Sequence, residues 1–254
     1  MRKLCSFLVK LSGLVFVFLV WQIVTSCDLL EPTLFPSPLQ AFSAFANLFV
    51  HSSLLREIIY TLQRVFSGFL IAAVFGVFLG LIIGAKESLS KSLEGVIDFF
   101  RSIPVVTLYP IFILLFGIND EAKIAMTFWA TFWIISFNTI YGVRQTSKIR
   151  REVANIYGAS KTQIFRWITF FEALPQILVG MRIAISCALL AEIMCEMFMG
   201  SDFGIGQKIY EYNVRLSAPE LYALVVTTGI IGIIINRVFI LFEKIMIPWK
   251  TSYD

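Results

Sequence analysis

Residues 152–160 have the sequence Glu-Val-Ala-Asn-Ile-Tyr-Gly-Ala-Ser. Val153, Ile156 and Tyr157 share one face of a helical turn, because they lie three and four positions apart. Gly158 supplies the positive φ that commonly ends a helix. The stretch therefore predicts a short amphipathic helix that stops at a glycine.

A second helix begins directly after this glycine. Ser160-Lys-Thr-Gln163 matches a capping box, in which the serine and glutamine side chains satisfy free amides at a helix start. Ile164, Phe165 and Ile168 then continue an apolar face. A helix, a sharp turn and a helix with a basic rim are more than a tether needs, so we expect this segment to dock on another protein.

Composition places the segment in a membrane protein. Hydrophobic residues make up 58% of the 254 positions and charged residues only 15%, outside the range of ordinary soluble domains. A helix needs about 20 mostly apolar residues to cross the hydrocarbon. The candidate spans are Leu11–Ser26, Leu62–Gly84, Ile103–Gly117, Ile124–Gly142, Ile177–Phe198 and Leu221–Phe242. The sequence predicts an all-α polytopic protein of about six transmembrane helices.

The third span should be kinked or broken. Pro104 and Pro110 interrupt it, and a proline removes one helical hydrogen bond and clashes with the preceding turn. Non-helical backbone at membrane depth survives only where it is buried in protein or lines a cavity. Pro104, Thr107 and Pro110 are therefore candidates for the transport pathway, and a packing kink is the alternative for each proline.

Basic residues predict that both termini are cytoplasmic, because cytoplasmic loops hold an excess of Lys and Arg. The predicted inner segments carry Arg2, Lys3, Lys10, Lys86, Lys91, Arg101, Arg144, Lys148, Arg150, Arg151, Lys161, Arg166, Lys244 and Lys250. The predicted outer segments carry only Arg56, Lys123, Lys208 and Arg215. This asymmetry explains the net charge of +4 without a nucleic-acid surface.

The sequence predicts one membrane domain, residues 1–254. It has an extra N-terminal helix, residues 1–28, and a five-helix core at about 58–245. A proline-rich connection leads into a short helix at Leu39–Val50, which either lies along the outer membrane surface or packs on the bundle. The cysteines have no metal-ligand spacing. A cleaved signal that ends near Cys27 is the weaker interpretation of the first span.

Two carboxylates fall inside the fifth span. Glu192 and Glu196 are one turn apart on nearly the same face. Charges at this depth are costly and usually face a cavity or a partner. They either form a polar lining near the outer vestibule or form a structural pair with basic residues of neighbouring helices, and we favour a structural or gating role over a lining.

The segment Glu152-x-Ala154-x-x-x-Gly158, followed by Ile168, resembles the EAA loop of permease subunits of binding-protein-dependent ABC importers. The motifs Thr61–Phe69, Arg101–Pro104, Pro110–Ile118 and Ala191–Gly206 resemble the nitrate, sulfonate, taurine and thiamine-precursor branch of that family. Leu34–Pro38 near the start and Phe242–Lys244 before Trp249 fit the same branch, so the resemblance runs from about the first span to the last.

This resemblance implies a bacterial inner-membrane permease that forms a dimer, homodimeric by expectation, around a central pathway. Each copy would engage an ATPase subunit and receive solute from an extracytoplasmic solute-binding protein. The family's coupling helix would comprise Arg151, Glu152, Val153, Ala154, Ile156, Tyr157, Gly158 and Ala159. The chain departs from the family pattern at Val153 and Thr107, where alanine is usual, and at Phe170-Phe171, which replaces leucine-proline.

The chain carries no G-x-x-x-x-G-K-[ST] phosphate-binding loop. We therefore expect that the chain is not an enzyme and holds no cofactor, and that a separate ATPase chain binds ATP. The alternative is a self-sufficient secondary transporter or channel, which should carry its own coupling site and often an inverted repeat. Neither feature is visible. The resemblance favours a nitrate, sulfonate, taurine-like or thiamine-precursor-like solute.

Overall fold

The computed structural model describes residues 2–27, 31, 33–51 and 54–249, without the side chains of residues 2–11, Leu14 and His51. The predictions that rest on Arg2, Lys3, Lys10 and Lys250 lie outside the described side chains. Most of the described residues are helical, and none of them forms a strand. Its helices are α1 (Arg2–Ser26), α2 (Pro38–His51), α3 (Leu54–Ala85), α4 (Glu87–Ser102), α5 (Tyr109–Phe116), α6 (Asp120–Arg144), α7 (Lys148–Ile156), α8 (Lys161–Ile164), α9 (Phe170–Met199), α10 (Ile205–Val214) and α11 (Ala218–Met246).

Four helices in the described chain are long and apolar enough to cross a membrane: α3, α6, the continuous run Lys161–Met199 through α8 and α9, and α11. A bent pair, α4 with the segment Val105–Phe116, makes a fifth if it is one span. Each of the four long helices extends beyond its predicted apolar stretch, because the helix ends carry polar residues that hydropathy does not count. Six spans stay a prediction.

The chain is sharply bent at the start of the third predicted span. The helix α4 and the segment Val105–Phe116 meet there at an angle of 85°. The sequence placed residues 85–102 in an inner connection, but residues 87–102 form α4. Hydropathy missed this helix because it carries Glu87, Lys91, Glu94, Asp98 and Arg101.

The bundle is built on close packing between α3 and α6. Along α3, glycines lie against branched side chains of α6: a Cβ on Gly68 would lie 2.8 Å from Cβ of Thr127, and one on Gly80 would lie 2.5 Å from Cβ of Thr139. Small residues of this kind let two helix backbones approach closely within a membrane. We call this contact the glycine seam.

The N-terminal helices pack outside this core. α2 follows Pro38 as predicted, and it packs on α11, with Phe45 half-buried against the core and Phe42 and Phe49 exposed. Trp21 of α1 donates its indole N–H to the Pro36 carbonyl at 3.0 Å, and its ring lies 5.9 Å from that of Tyr222. The N-terminal helix is thus attached to α11, and a transmembrane role for it stays a prediction.

Candidate coupling loop and transport path

The predicted helix-turn-helix is present between α6 and α9. The α7 helix ends in a Schellman motif: the Ala159 N–H donates to the Ala154 carbonyl at 3.0 Å, and the Gly158 N–H donates to the Asn155 carbonyl at 3.0 Å. Gly158 has a φ of +81°, the left-handed conformation that such a cap requires. Ser160 and Gln163 form the expected capping box at the start of α8.

The α7 helix presents an apolar stripe to its surroundings. Ile149, Val153 and Ile156 follow the i, i+4, i+7 pattern of one helix face, and Tyr157 adjoins it. Ile156 is 83% exposed and Tyr157 is 87% exposed. We call these four residues the α7 face. The sequence reasoning missed Ile149, which precedes the motif but has the same helical spacing.

The other predicted loop residues surround the α7 face. Glu152 is exposed, whereas Arg151, Ala154 and Ala159 are half-buried. The two alanines flank the turn, so they help α7 and α8 to approach each other around Gly158. Arg151 and the exposed carboxylate of Glu152 place one positive and one negative charge at the rim of the α7 face.

One carboxylate ties α7 to the span that follows. Glu172, in the first turn of α9, accepts from the Arg150 Nε at 2.6 Å and from the Ser147 backbone N–H at 2.8 Å. Ser147 is itself the N-cap of α7. Both bonds of Glu172 therefore hold the start of α7, and a movement of α7 would pull directly on α9.

The two prolines of the third span have different effects. Pro104 follows Ile103, whose ψ of 118° ends α4, as expected for a residue that precedes proline. Pro110 lies in the first turn of α5, where a missing N–H costs nothing. Between them, the Thr107 hydroxyl donates to the Pro104 carbonyl at 2.7 Å. The break is therefore due to Pro104, whereas Pro110 starts the next helix.

Glu196 forms a buried ion pair at the end of the bundle opposite α7. Its side chain is 0% exposed and accepts from Arg64 Nη1 at 2.8 Å, from the Thr61 hydroxyl at 2.8 Å and from the Gly206 backbone N–H at 2.8 Å. These donors belong to α3 and α10. The carboxylate thus joins three helices, which is the pairing alternative expected from the sequence.

Neighbouring groups extend this pair into a network. Arg64 also contacts Asp120 at 2.9 Å and donates to the Phe203 carbonyl at 2.8 Å. Glu57, which is 3% exposed, accepts from the Gly204 N–H at 2.6 Å. The loop that precedes α10 is therefore attached to α3 by two charged side chains.

Glu192 is less well satisfied than Glu196. It is 0% exposed, and its Oε2 accepts from the Thr127 hydroxyl at 2.8 Å. Its Oε1 has no hydrogen-bond partner among the described residues. A role for either carboxylate as a gate stays a prediction. In the described part of the chain, no group of three or more acidic, histidine or cysteine residues could hold a metal ion.

The sequence profile described as the binding-protein-dependent transport system inner membrane component matches residues 72–251. A nitrate import permease, NrtB, from Synechocystis is 31% identical over 91% of this chain and 86% of its own. A putative aliphatic sulfonates transport permease, SsuC, from Bacillus subtilis is 25% identical over 94% and 86%. A formylaminopyrimidine transport permease, ThiX, from Halalkalibacterium halodurans is 27% identical over 92% of both chains.

Solved structures share the fold. A chain of the MetNI methionine ABC transporter in an inward-facing conformation has a TM-score of 0.67 at 21% identity, with 76% of this chain and 95% of that chain covered. A bacterial alginate ABC transporter, crystallised with a pentasaccharide-bound periplasmic protein, has a TM-score of 0.62 at 16% identity, with 97% and 95% covered.

Proposed function

This chain belongs to the family of binding-protein-dependent transport system inner membrane components, and we propose that it moves a small solute inward when a separate ATPase drives its α7 loop. As in its relatives, its role is that of an ABC importer permease. The bundle would open and close, while ATP is bound and hydrolysed elsewhere.

The α7 face is the observation that carries this proposal. An amphipathic helix that presents i, i+4 and i+7 apolar residues is suited to lie in an apolar groove of a partner. The α7 face lies outside the bundle, near the N-terminal end of α9, where Glu172 lies. The capped turn at Gly158 holds α7 and α8 in a fixed relation, so the docked unit can act as a rigid lever.

The hydrogen bonds of Glu172 support a route from the loop to the bundle. A displacement of α7 reaches α9 through Arg150 and Ser147, and α9 continues as one helix to Glu196 at the other end. There, Arg64 and Gly206 connect α9 with α3 and α10. Movement at the ATPase would therefore reach the opposite face through α9.

The orientation of the chain in the membrane follows from the same proposal. The loop would be cytoplasmic, as would both termini, and the Arg64 end would face an extracytoplasmic solute-binding protein. A second copy of this chain would complete the pathway, beside the broken third span with Pro104, Thr107 and Pro110. The names of the relatives favour nitrate, an aliphatic sulfonate or a thiamine precursor as the solute.

Co-purification with the cognate ATPase in detergent tests the role of the loop. Ile156→Asp places a charge on the α7 face, and we expect it to abolish a complex that wild-type protein forms. Val214→Asp is the matched control, because Val214 is a 63% exposed residue at the Arg64 end. Equal recovery of the ATPase with both variants would show that the α7 face is not the docking surface.

A further inference from the structure

A cavity of about 390 Å³ lies beside the break in the third span. The end of α4, the turn after Pro104, α6 and α9 line it, and it is open on one side. Its walls are mainly apolar, with Val106, Trp133, Leu190 and Met194 among them, and Cys187 adds a thiol. Volumes of this size and an apolar lining with few polar groups are typical of sites for small molecules.

The cavity lies deep within the span. Trp133 is near the middle of the 25-residue α6, about 20 Å along the helix from Asp120 at 1.5 Å per residue. On the facing wall, the Phe100 ring stacks on Trp133 at 4.8 Å. A solute that crosses through this chain would meet these residues midway.

Arg101 is the charged residue in the lining of this cavity. Its guanidinium lies 3.9 Å from the centre of the Phe137 ring and 3.3 Å from Asp98 Oδ1. A guanidinium has five N–H donors, and Asp98 accepts the one Arg101 hydrogen bond found in the described chain. The sequence placed Arg101 in an inner connection, whereas its contact with Phe137 and its place in this lining put it beside the membrane-spanning part of α6. An arginine there usually faces a cavity or a partner, and this one retains donors for a ligand.

We infer that this cavity is a transit site for an organic anion, with an apolar body against α6 and α9 and a single anionic group at Arg101. This inference rests on the proposed transport function and assigns its solute class. A small inorganic anion would leave the apolar walls without a contact, whereas burial of an apolar body contributes roughly 25 cal/mol per Å². An aliphatic sulfonate has both parts.

Charge-selective labelling of Cys187 tests this inference. The full chain, with Cys5→Ser and Cys27→Ser, is purified with its ATPase and placed in phosphatidylcholine nanodiscs. The anionic reagent 2-sulfonatoethyl methanethiosulfonate and its cationic trimethylammonium counterpart are then compared. Cys195 is 2% exposed, and a Cys187→Ala sample measures the background.

We expect the anionic reagent to label Cys187 faster than the cationic one, after correction for their rates with a free thiol. Arg101→Gln should reduce that preference about tenfold, as expected for loss of a nearby charge at low effective dielectric, and Arg101→Lys should retain it. Hexanesulfonate should protect Cys187 in the parent, and nitrate should not. Equal preference in the parent and Arg101→Gln, or protection by nitrate alone, would overturn the inference.

Two further arms separate the alternatives. Phosphatidylglycerol in the nanodiscs should leave the labelling of Cys187 by the uncharged methyl methanethiosulfonate unchanged, because an uncharged reagent does not respond to the surface charge of the lipid. Protection of Cys187 from this reagent by the lipid, without hexanesulfonate, would mean that the cavity is a lipid site. ATPase recovered with the labelled chain reports on the proposed function separately. A chain that binds its ATPase but shows no charge preference contradicts this inference alone.

Discussion

Replacement of Glu196 by glutamine should destabilise the bundle by about 3 kcal/mol. Loss of one partner from a buried ion pair costs roughly 3–5 kcal/mol, because the remaining charge stays buried. Arg64 would keep Asp120 at 2.9 Å, which places the effect at the lower end. The new amide must also point its NH₂ group at Arg64 or at the Gly206 N–H, and both are donors.

Reversible unfolding in mixed micelles of dodecyl sulfate and dodecyl maltoside, followed by circular dichroism, measures this free energy. Glu94→Gln is the surface control, because Glu94 is exposed, and its effect should stay within about 0.5 kcal/mol. Glu192→Gln should cost less than Glu196→Gln, since Thr127 can donate to an amide oxygen. A loss below about 1 kcal/mol for Glu196→Gln would show that the buried ion pair of Glu196 does not stabilise the bundle as expected.

Two further predictions concern the glycine seam and the link to α9. Gly80→Ala places a Cβ 2.5 Å from Cβ of Thr139, so it should lower the free energy of unfolding by about 1–3 kcal/mol in the same assay. Gly95→Ala is the control, because its new Cβ has no neighbour within 4 Å, and it should be neutral or stabilising. Equal effects of the two substitutions would contradict close packing at the glycine seam. Glu172→Gln should leave the ATPase bound but reduce the stimulation of its hydrolysis by the binding protein about fivefold or more, and unchanged stimulation would contradict the link through Arg150.

Features that depend on neighbouring residues could be predicted from the sequence. The turn at Gly158 and the capping box from Ser160 to Gln163 are local hydrogen-bond patterns, so their residues alone indicate them. The break at Pro104 follows from the chemistry of one residue. The helix α4 was not predicted, because its charged residues interrupt the apolar run that hydropathy detects.

Features that depend on distant residues could not be predicted. Arg64 and Glu196 are 132 positions apart, and no local pattern shows that they meet. Glu172 is an isolated acidic residue in the sequence, and its hydrogen bonds to Arg150 and Ser147 form only when α7 folds back on α9. The cavity at Arg101 likewise needs three helices to form. Ile149 is different, because its helical spacing could have revealed it.

In the proposed function, an external ATPase drives this chain through the α7 face. This is tested by measuring ATP hydrolysis of the reconstituted complex in nanodiscs, with and without the solute-loaded binding protein. We expect the binding protein to stimulate hydrolysis in the wild type, and Gly158→Val to remove that stimulation while the chain still inserts, because valine is strained at a φ of +81°. Hydrolysis that is indifferent to the binding protein and to this change would contradict the account.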